Sequence, residues 1–286
     1  MKTKGDKFYE AGDYENAVKC YKAAAEQGDA DAQNSLGLCY AMGLGVEEDA
    51  AEAVRWWRKA IEQGHAAALF NLGCSFDLGN GVKQDLSEAV RCWQQAADAG
   101  NAAAMFNLGK CCETGERLSQ DYKEAVKWYR KAADSGHASA MCNLGNCYYD
   151  GNGVAQDYKE AVKWYRKAAD KGHDIAMCNL GNCYCDGNGV AQDYEEAVKW
   201  YHMAANADSA EAMFNLGNCF SNGVGVERDL DEAFKWYHMA ANHGYADAFN
   251  AMKHVNTLKH GYSSGSGCMV MLMIPLIAGV LTYLLL

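Results

Sequence analysis

Proline is almost absent from this chain: 286 residues contain one, Pro275. Glycine, at 29 residues, supplies the punctuation instead, a balance suited to many short helices that end on glycine. Basic residues are in deficit, 26 against 37 acidic. The formal charge of −11 repels a phosphate backbone and argues against a nucleic-acid partner. Disorder does not fit a composition 50% hydrophobic and 22% charged. The 13 cysteines are odd in number, and the chain is too long for a compact disulfide scaffold. No catalytic pattern of the form Ser-x-x-Lys, Gly-x-Ser-x-Gly or His-Glu-x-x-His occurs. Cys111-Cys112 and Cys142…Cys147 lack the paired spacing of a zinc site. Catalysis, a metal, a cofactor and a small-molecule substrate are therefore not expected. The opening residues, Met1 to Asp6, carry two lysines but no apolar stretch, so no secretory signal is expected.

What is present is repetition. Gly37, Gly73, Gly109, Gly145, Gly181 and Gly217 lie 36 apart, each preceded by leucine. Asp49, Asp85, Asp121, Asp157, Asp193 and Asp229 keep the same period, and a glutamate follows each by three. An aromatic column runs Trp57, Trp93, Tyr129, Tyr165, Tyr201, Tyr237. In the unit 137–172, Ala140, Leu144 and Tyr148 draw one stripe of a first helix. Asp150-Gly151-Asn152-Gly153 breaks it. Asp157-Tyr158-Lys159-Glu160 reads as a capping box, in which the aspartate accepts from a free backbone N–H and the glutamate reaches back. Tyr158, Ala161, Val162, Tyr165, Ala168 and Ala169 then mark a second amphipathic helix that ends at Gly172. A hairpin this short cannot bury its apolar face alone, whereas stacked copies can. The expected fold is an all-α solenoid of stacked helical hairpins. Units 137–172 and 173–208 are identical at about three-quarters of positions, as after an internal duplication.

The pattern Ala-x-x-x-Leu-Gly-x-x-Tyr…Gly-x-Gly-Val-x-x-Asp…Ala-Val-x-Trp-Tyr…Ala-Ala resembles the Sel-one-like repeat, a longer relative of the tetratricopeptide repeat. The resemblance covers about nine-tenths of the chain. It implies a right-handed superhelix and the work of an adaptor that assembles protein complexes. The opening hairpin, 1–28, looks more like a tetratricopeptide. Six Sel-one-like repeats are expected over 29–244, a closing helix over 245–260, and a flexible Ser/Gly linker over 261–267. Some secreted relatives staple each hairpin with a Cys-x7-Cys pair. The matching positions are Ala133 with Met141 and Ala169 with Met177, so those bridges are not expected.

Several columns invite functional readings. Gly151-Asn152-Gly153-Val154 and its equivalents follow a helix, not a strand, and read as turns, not phosphate loops. Cys39, Cys111, Cys147, Cys183 and Cys219 share one position. Equivalent places in neighbouring repeats lie roughly 16–20 Å apart, too far for a disulfide, so buried free thiols are expected. His65, His137 and His173 follow a glycine and read as caps. Trp56, Trp128, Trp164, Trp200 and Trp236 are expected to pack between repeats. The candidate binding residues are Asn71, Asn107, Asn143, Asn179 and Asn215, in mid-helix, where asparagine is a poor choice. They serve either as structural hydrogen bonds or as a ladder of amides holding an extended peptide. Asn146, Asn182 and Asn218 would extend that surface.

The last 19 residues, Cys268 to Leu286, carry no charge and approach the roughly 20 apolar residues of a membrane span. A C-terminal transmembrane anchor over 268–286 is expected, with Lys253 and Lys259 favouring cytoplasmic repeats. Cys268 is a candidate for acylation. The expected protein is a membrane-tethered scaffold that binds proteins or peptides along its repeats and the lipid bilayer through its tail. The alternatives are a soluble or secreted repeat effector and a non-catalytic subunit of an enzyme.

Overall fold

The computed structural model describes residues 4–260, and the linker and tail, 261–286, lie outside them. The described residues form fifteen α-helices and no strand. They divide into two compact units, with the division between Ala155 and Gln156. The first unit holds α1 (Lys4–Glu10), α2 (Tyr14–Glu26), α3 (Ala30–Met42), α4 (Ala50–Ile61), α5 (Ala66–Leu78), α6 (Leu86–Asp98), α7 (Ala102–Thr114), α8 (Tyr122–Asp134) and α9 (Ala138–Asp150). The second holds α10 (Tyr158–Ala169), α11 (Asp174–Asp186), α12 (Tyr194–Asn206), α13 (Ala210–Asn222), α14 (Leu230–Asn242) and α15 (Ala246–His260). Within each unit, consecutive helices pack as neighbours.

Short helices survive here because both ends are satisfied. Every second helix of a hairpin starts at an aspartate: the carboxylates of Asp13, Asp49, Asp85, Asp121, Asp157, Asp193 and Asp229 each accept from the backbone N–H three residues on. Each of these caps contributes about 1 kcal/mol. In five of the hairpins the other half of such a capping box does not form. The N–H groups of Asp49, Asp85, Asp121, Asp193 and Asp229 donate to carbonyls of the preceding helix at 2.8–2.9 Å. The glutamates, released from that task, pair with a lysine or arginine three residues on, as in Glu124–Lys127 and Glu196–Lys199. The spacing alone could not reveal that a tertiary carbonyl outcompetes a local carboxylate.

The leucine and glycine columns build the core of each hairpin. Leu36, Leu108, Leu144, Leu180 and Leu216 are essentially inaccessible, and burying each is worth about 1.5–3 kcal/mol. The following glycine receives the aromatic ring of the second helix. A Cβ on Gly37 would fall 2.5 Å from Trp57, on Gly109 2.6 Å from Tyr129, and on Gly217 2.5 Å from Tyr237. The column glycine and the column aromatic are therefore one contact, made at Gly37, Gly73, Gly109, Gly181 and Gly217.

Candidate functional site

The first helices, α3, α5, α7, α9, α11 and α13, carry the candidate residues. Their N-caps form a column that changes chemistry but keeps geometry. Asp29, His65, Asn101, His137, His173 and Ser209 each accept from the N–H three residues on, at 2.8–3.4 Å. The three histidines accept through Nδ1, which requires a neutral ring with its proton on Nε2. The caps place the eight candidate asparagines at equivalent points, all half-buried.

Their amides are not in equivalent states. Asn71 Nδ2 donates to Asn34 Oδ1 at 3.0 Å. Asn215 Nδ2 donates to Asn182 Oδ1 at 3.3 Å and lies 3.6 Å from Cys178 Sγ. Asn182 Oδ1 also accepts from the Tyr201 hydroxyl, and Asn218 Oδ1 from Tyr237, both at 2.7 Å. Asn143 lies beside the Tyr129 hydroxyl, which donates to Glu113 at 2.7 Å. Asn146 and Asn179 are also engaged. The structure thus brings Asn182 together with Asn215. It ties Asn182 and Asn218 to the hydroxyls of the aromatic column, a link that sequence spacing did not suggest.

Asn107 stands apart. It lines a cleft of about 300 Å³ with Asp77, Trp93, Lys110, Thr114 and Arg117. Arg117 Nε and Nη2 clasp Asp77 at 2.5 and 3.0 Å, and Nη1 meets Glu116 at 2.8 Å. Such a two-pronged contact fixes the guanidinium geometrically as well as electrostatically. Thr114 Oγ1 donates to the Lys110 carbonyl at 3.1 Å. Neither the Lys110 ammonium nor the Asn107 amide has a partner among the described residues. One signal could have located the cleft from sequence: Arg117 interrupts the second-glycine column.

The cysteine column is buried, and its thiols are pushed up by that burial, Cys39 and Cys111 to about 11 and Cys147, Cys183 and Cys219 to about 12. The cysteines among the described residues are free. Among the described residues, no three His, Cys, Asp or Glu side chains converge to hold a metal ion. Trp56 packs with Ala17, Val18 and Tyr21 of the preceding hairpin, a contact between repeats. The ammonium groups of Lys59, Lys131 and Lys167 cover the rings of Trp56, Trp128 and Trp164 at 3.8–4.1 Å. Among the described residues, no helix is long and apolar enough to cross a membrane, and the expected anchor lies outside them.

Known proteins agree with this architecture. The Sel1 repeat model matches seven consecutive segments: 3–29, 30–65, 66–101, 102–137, 138–173, 174–209 and 210–245. The opening hairpin is thus matched as a Sel1 repeat too. The structure is similar to a Sel1 repeat protein from Oxalobacter formigenes, with a TM-score of 0.78 and 35% identity over 83% of this chain and 98% of that one. It is also similar to a protective antigen of uropathogenic Escherichia coli that displays an SLR fold, with a TM-score of 0.77 and 32% identity over 85% of this chain. This chain spans 52% of that antigen's length. An immunity protein from Pseudomonas aeruginosa shares the fold, with a TM-score of 0.51 and 21% identity over 73% of this chain and 83% of that one. No curated protein matches. The chain belongs to the Sel1 repeat family.

Proposed function

We propose that this protein is a membrane-tethered scaffold that assembles partner proteins along its repeats. Sel1 repeat proteins generally mediate protein–protein interaction and are generally non-catalytic. The observation that carries the reading is the repetition of half-buried polar positions on successive first helices, each held in register by a side-chain cap. Within each unit such a surface offers several small contacts, and a partner segment gains from their sum. The asparagines are proposed to serve that surface: Asn71, Asn107, Asn143, Asn179 and Asn215, with Asn146, Asn182 and Asn218.

The tether is proposed from sequence. Residues 268–286 are uncharged, and the linker before them is rich in serine and glycine. The repeats would then face the cytoplasm.

Two comparisons test this reading. The full chain and a chain ending at Gly267 are expressed and fractionated with a carbonate wash. Retention of the full chain alone in the membrane pellet supports the anchor, and release of both removes the tether. Proximity labelling then compares the full chain with a folded variant carrying alanine at the eight asparagines. Loss of specific partners supports the amide surface, and an unchanged partner set rejects it.

A further inference from the structure

We propose, building on the scaffold reading, that the cleft between repeats 66–101 and 102–137 is a docking site for an acidic side chain of an extended partner segment. The repeat pattern is interrupted here. In five loops the second glycine, Gly45, Gly81, Gly153, Gly189 or Gly225, has φ near +70 to +75 and presses against the second helix of the preceding repeat. A Cβ there would lie 2.2–2.4 Å from a carbonyl oxygen of that helix, Ala50 for Gly81 and Tyr122 for Gly153. No side chain fits that contact.

Arg117 occupies this place in the remaining loop, between α7 and α8, and its φ is not positive. Its guanidinium turns instead onto Asp77 of α5 and is 26% exposed there. Arg117 thus occupies the position of a packed glycine while bracing one wall of a cleft of about 300 Å³. That volume is at the lower end of the roughly 300–1,000 Å³ typical of ligand pockets, a size that suits a side chain better than a whole cofactor.

The charges select the occupant. Asp77 and Glu116 are both taken up by Arg117. The remaining side-chain donors are Lys110 and Asn107, three apart on α7 and so on one face, and the buried Trp93 Nε1, which has no hydrogen-bond partner among the described residues. Lys110 is the one lysine or arginine on α3, α5, α7, α9, α11 and α13. A carboxylate would take one oxygen to the ammonium and the other to the Asn107 amide. Trp93 and Cys111 are buried beneath these donors, and in such surroundings a charge-assisted hydrogen bond is stronger than in water. The net charge of −11 makes general attraction of acidic chains unfavourable, so recognition would depend on these local donors.

The test selects random linear peptides displayed on phage against the full chain in detergent, then resynthesises the winners with amide-capped C-termini. Fluorescence anisotropy measures their affinity for wild type, Lys110→Glu and Arg117→Gly, the last restoring the loop glycine. Circular dichroism confirms that each variant is folded. The expected result is enrichment in Asp and Glu, a loss of about tenfold or more on Lys110→Glu, weaker binding to Arg117→Gly, and weakening with salt. Peptides that bind wild type and Lys110→Glu alike overturn this site while leaving the scaffold reading intact. Loss of binding on amide capping shows recognition of a chain terminus and also overturns it. A selection that yields no binder counts against both readings.

Discussion

Replacing Gly181 by alanine separates two physical effects of opposite sign. In an isolated helix the change is favourable by about 1 kcal/mol, because glycine loses more backbone freedom on folding. In this protein the new Cβ would lie 2.4 Å from Tyr201 Cε1 and 2.6 Å from Cδ1. The ring has little room to yield: Tyr201 is buried, and its hydroxyl donates to Asn182 Oδ1 at 2.7 Å, with Cys185 Sγ 3.6 Å away. Overpacking costs about 1–3 kcal/mol, and displacing the hydroxyl costs about 1 kcal/mol more. Once the helical gain is subtracted, Gly181→Ala should destabilise by about 1–3 kcal/mol and lower the urea midpoint. With Tyr201→Leu as background the clash is gone, and the same change should be neutral or stabilising. Gly172→Ala is the control, with φ +83 and no atom within 4 Å of an added Cβ. Its cost, about 1 kcal/mol, is conformational and should not depend on residue 201. Far-UV circular dichroism against urea reads all six proteins, with Gly172→Ala made in both backgrounds. A higher midpoint for Gly181→Ala in the wild-type background, or equal effects in both backgrounds, would refute the packing argument.

Asp193→Ala removes the cap of α12 and should cost about 1 kcal/mol in urea unfolding, whereas Glu196→Gln, which touches an exposed lysine, should cost little. Asp208 sits at φ +65 where other repeats place glycine, so Asp208→Gly should raise the thermal midpoint. Burial lowers the His173 pKa from its ordinary 6.5, so the unfolded chain takes up the proton first. Its contribution to stability is present above about pH 6.5 and is lost as the pH falls through the lower folded value. His173→Asn, the residue type of the Asn101 cap, should reduce that pH slope of the urea midpoint. In maleimide labelling mapped by mass spectrometry, half-buried Cys20 should react before Cys183, whose thiol is pushed up to about 12, and native labelling of Cys183 would contradict its burial.

Much of the hairpin was legible because its determinants are local. The helix-ending glycines, the Asp N-caps, the histidine caps and the leucine stripe each depend on residues a few places apart. Two things were not legible. The role of the glutamate three residues after the cap is not legible, because the N–H groups of Asp49, Asp85, Asp121, Asp193 and Asp229 find carbonyls nine residues back, on another helix. The asparagine column was read without its tertiary partners, since nothing in the spacing says that the Tyr201 hydroxyl ends on Asn182 or that Asn215 reaches across from the next repeat. Tail residues 268–286 lie outside the described residues and rest on composition alone.

In a repeat protein, periodicity and specificity occupy different residues. A position that is the same in every repeat, such as the column leucine, must satisfy a packing demand that recurs with the backbone. Such a position can distinguish no part of the partner from any other. Distinction requires a departure from the period that the fold tolerates. At the first-helix N-cap, Asp29, His65, Asn101 and Ser209 differ in chemistry but perform one backbone task, so variation there changes the surface without moving the helix. At residue 117 the departure is larger, because arginine cannot repeat the glycine's contact and the loop must find another. It coincides with the one basic residue on the first-helix series, Lys110, within the same cleft. Two breaks of the period meeting at one place, where the backbone remains helical on either side, mark the part of this surface where contacts can be selective instead of merely repeated.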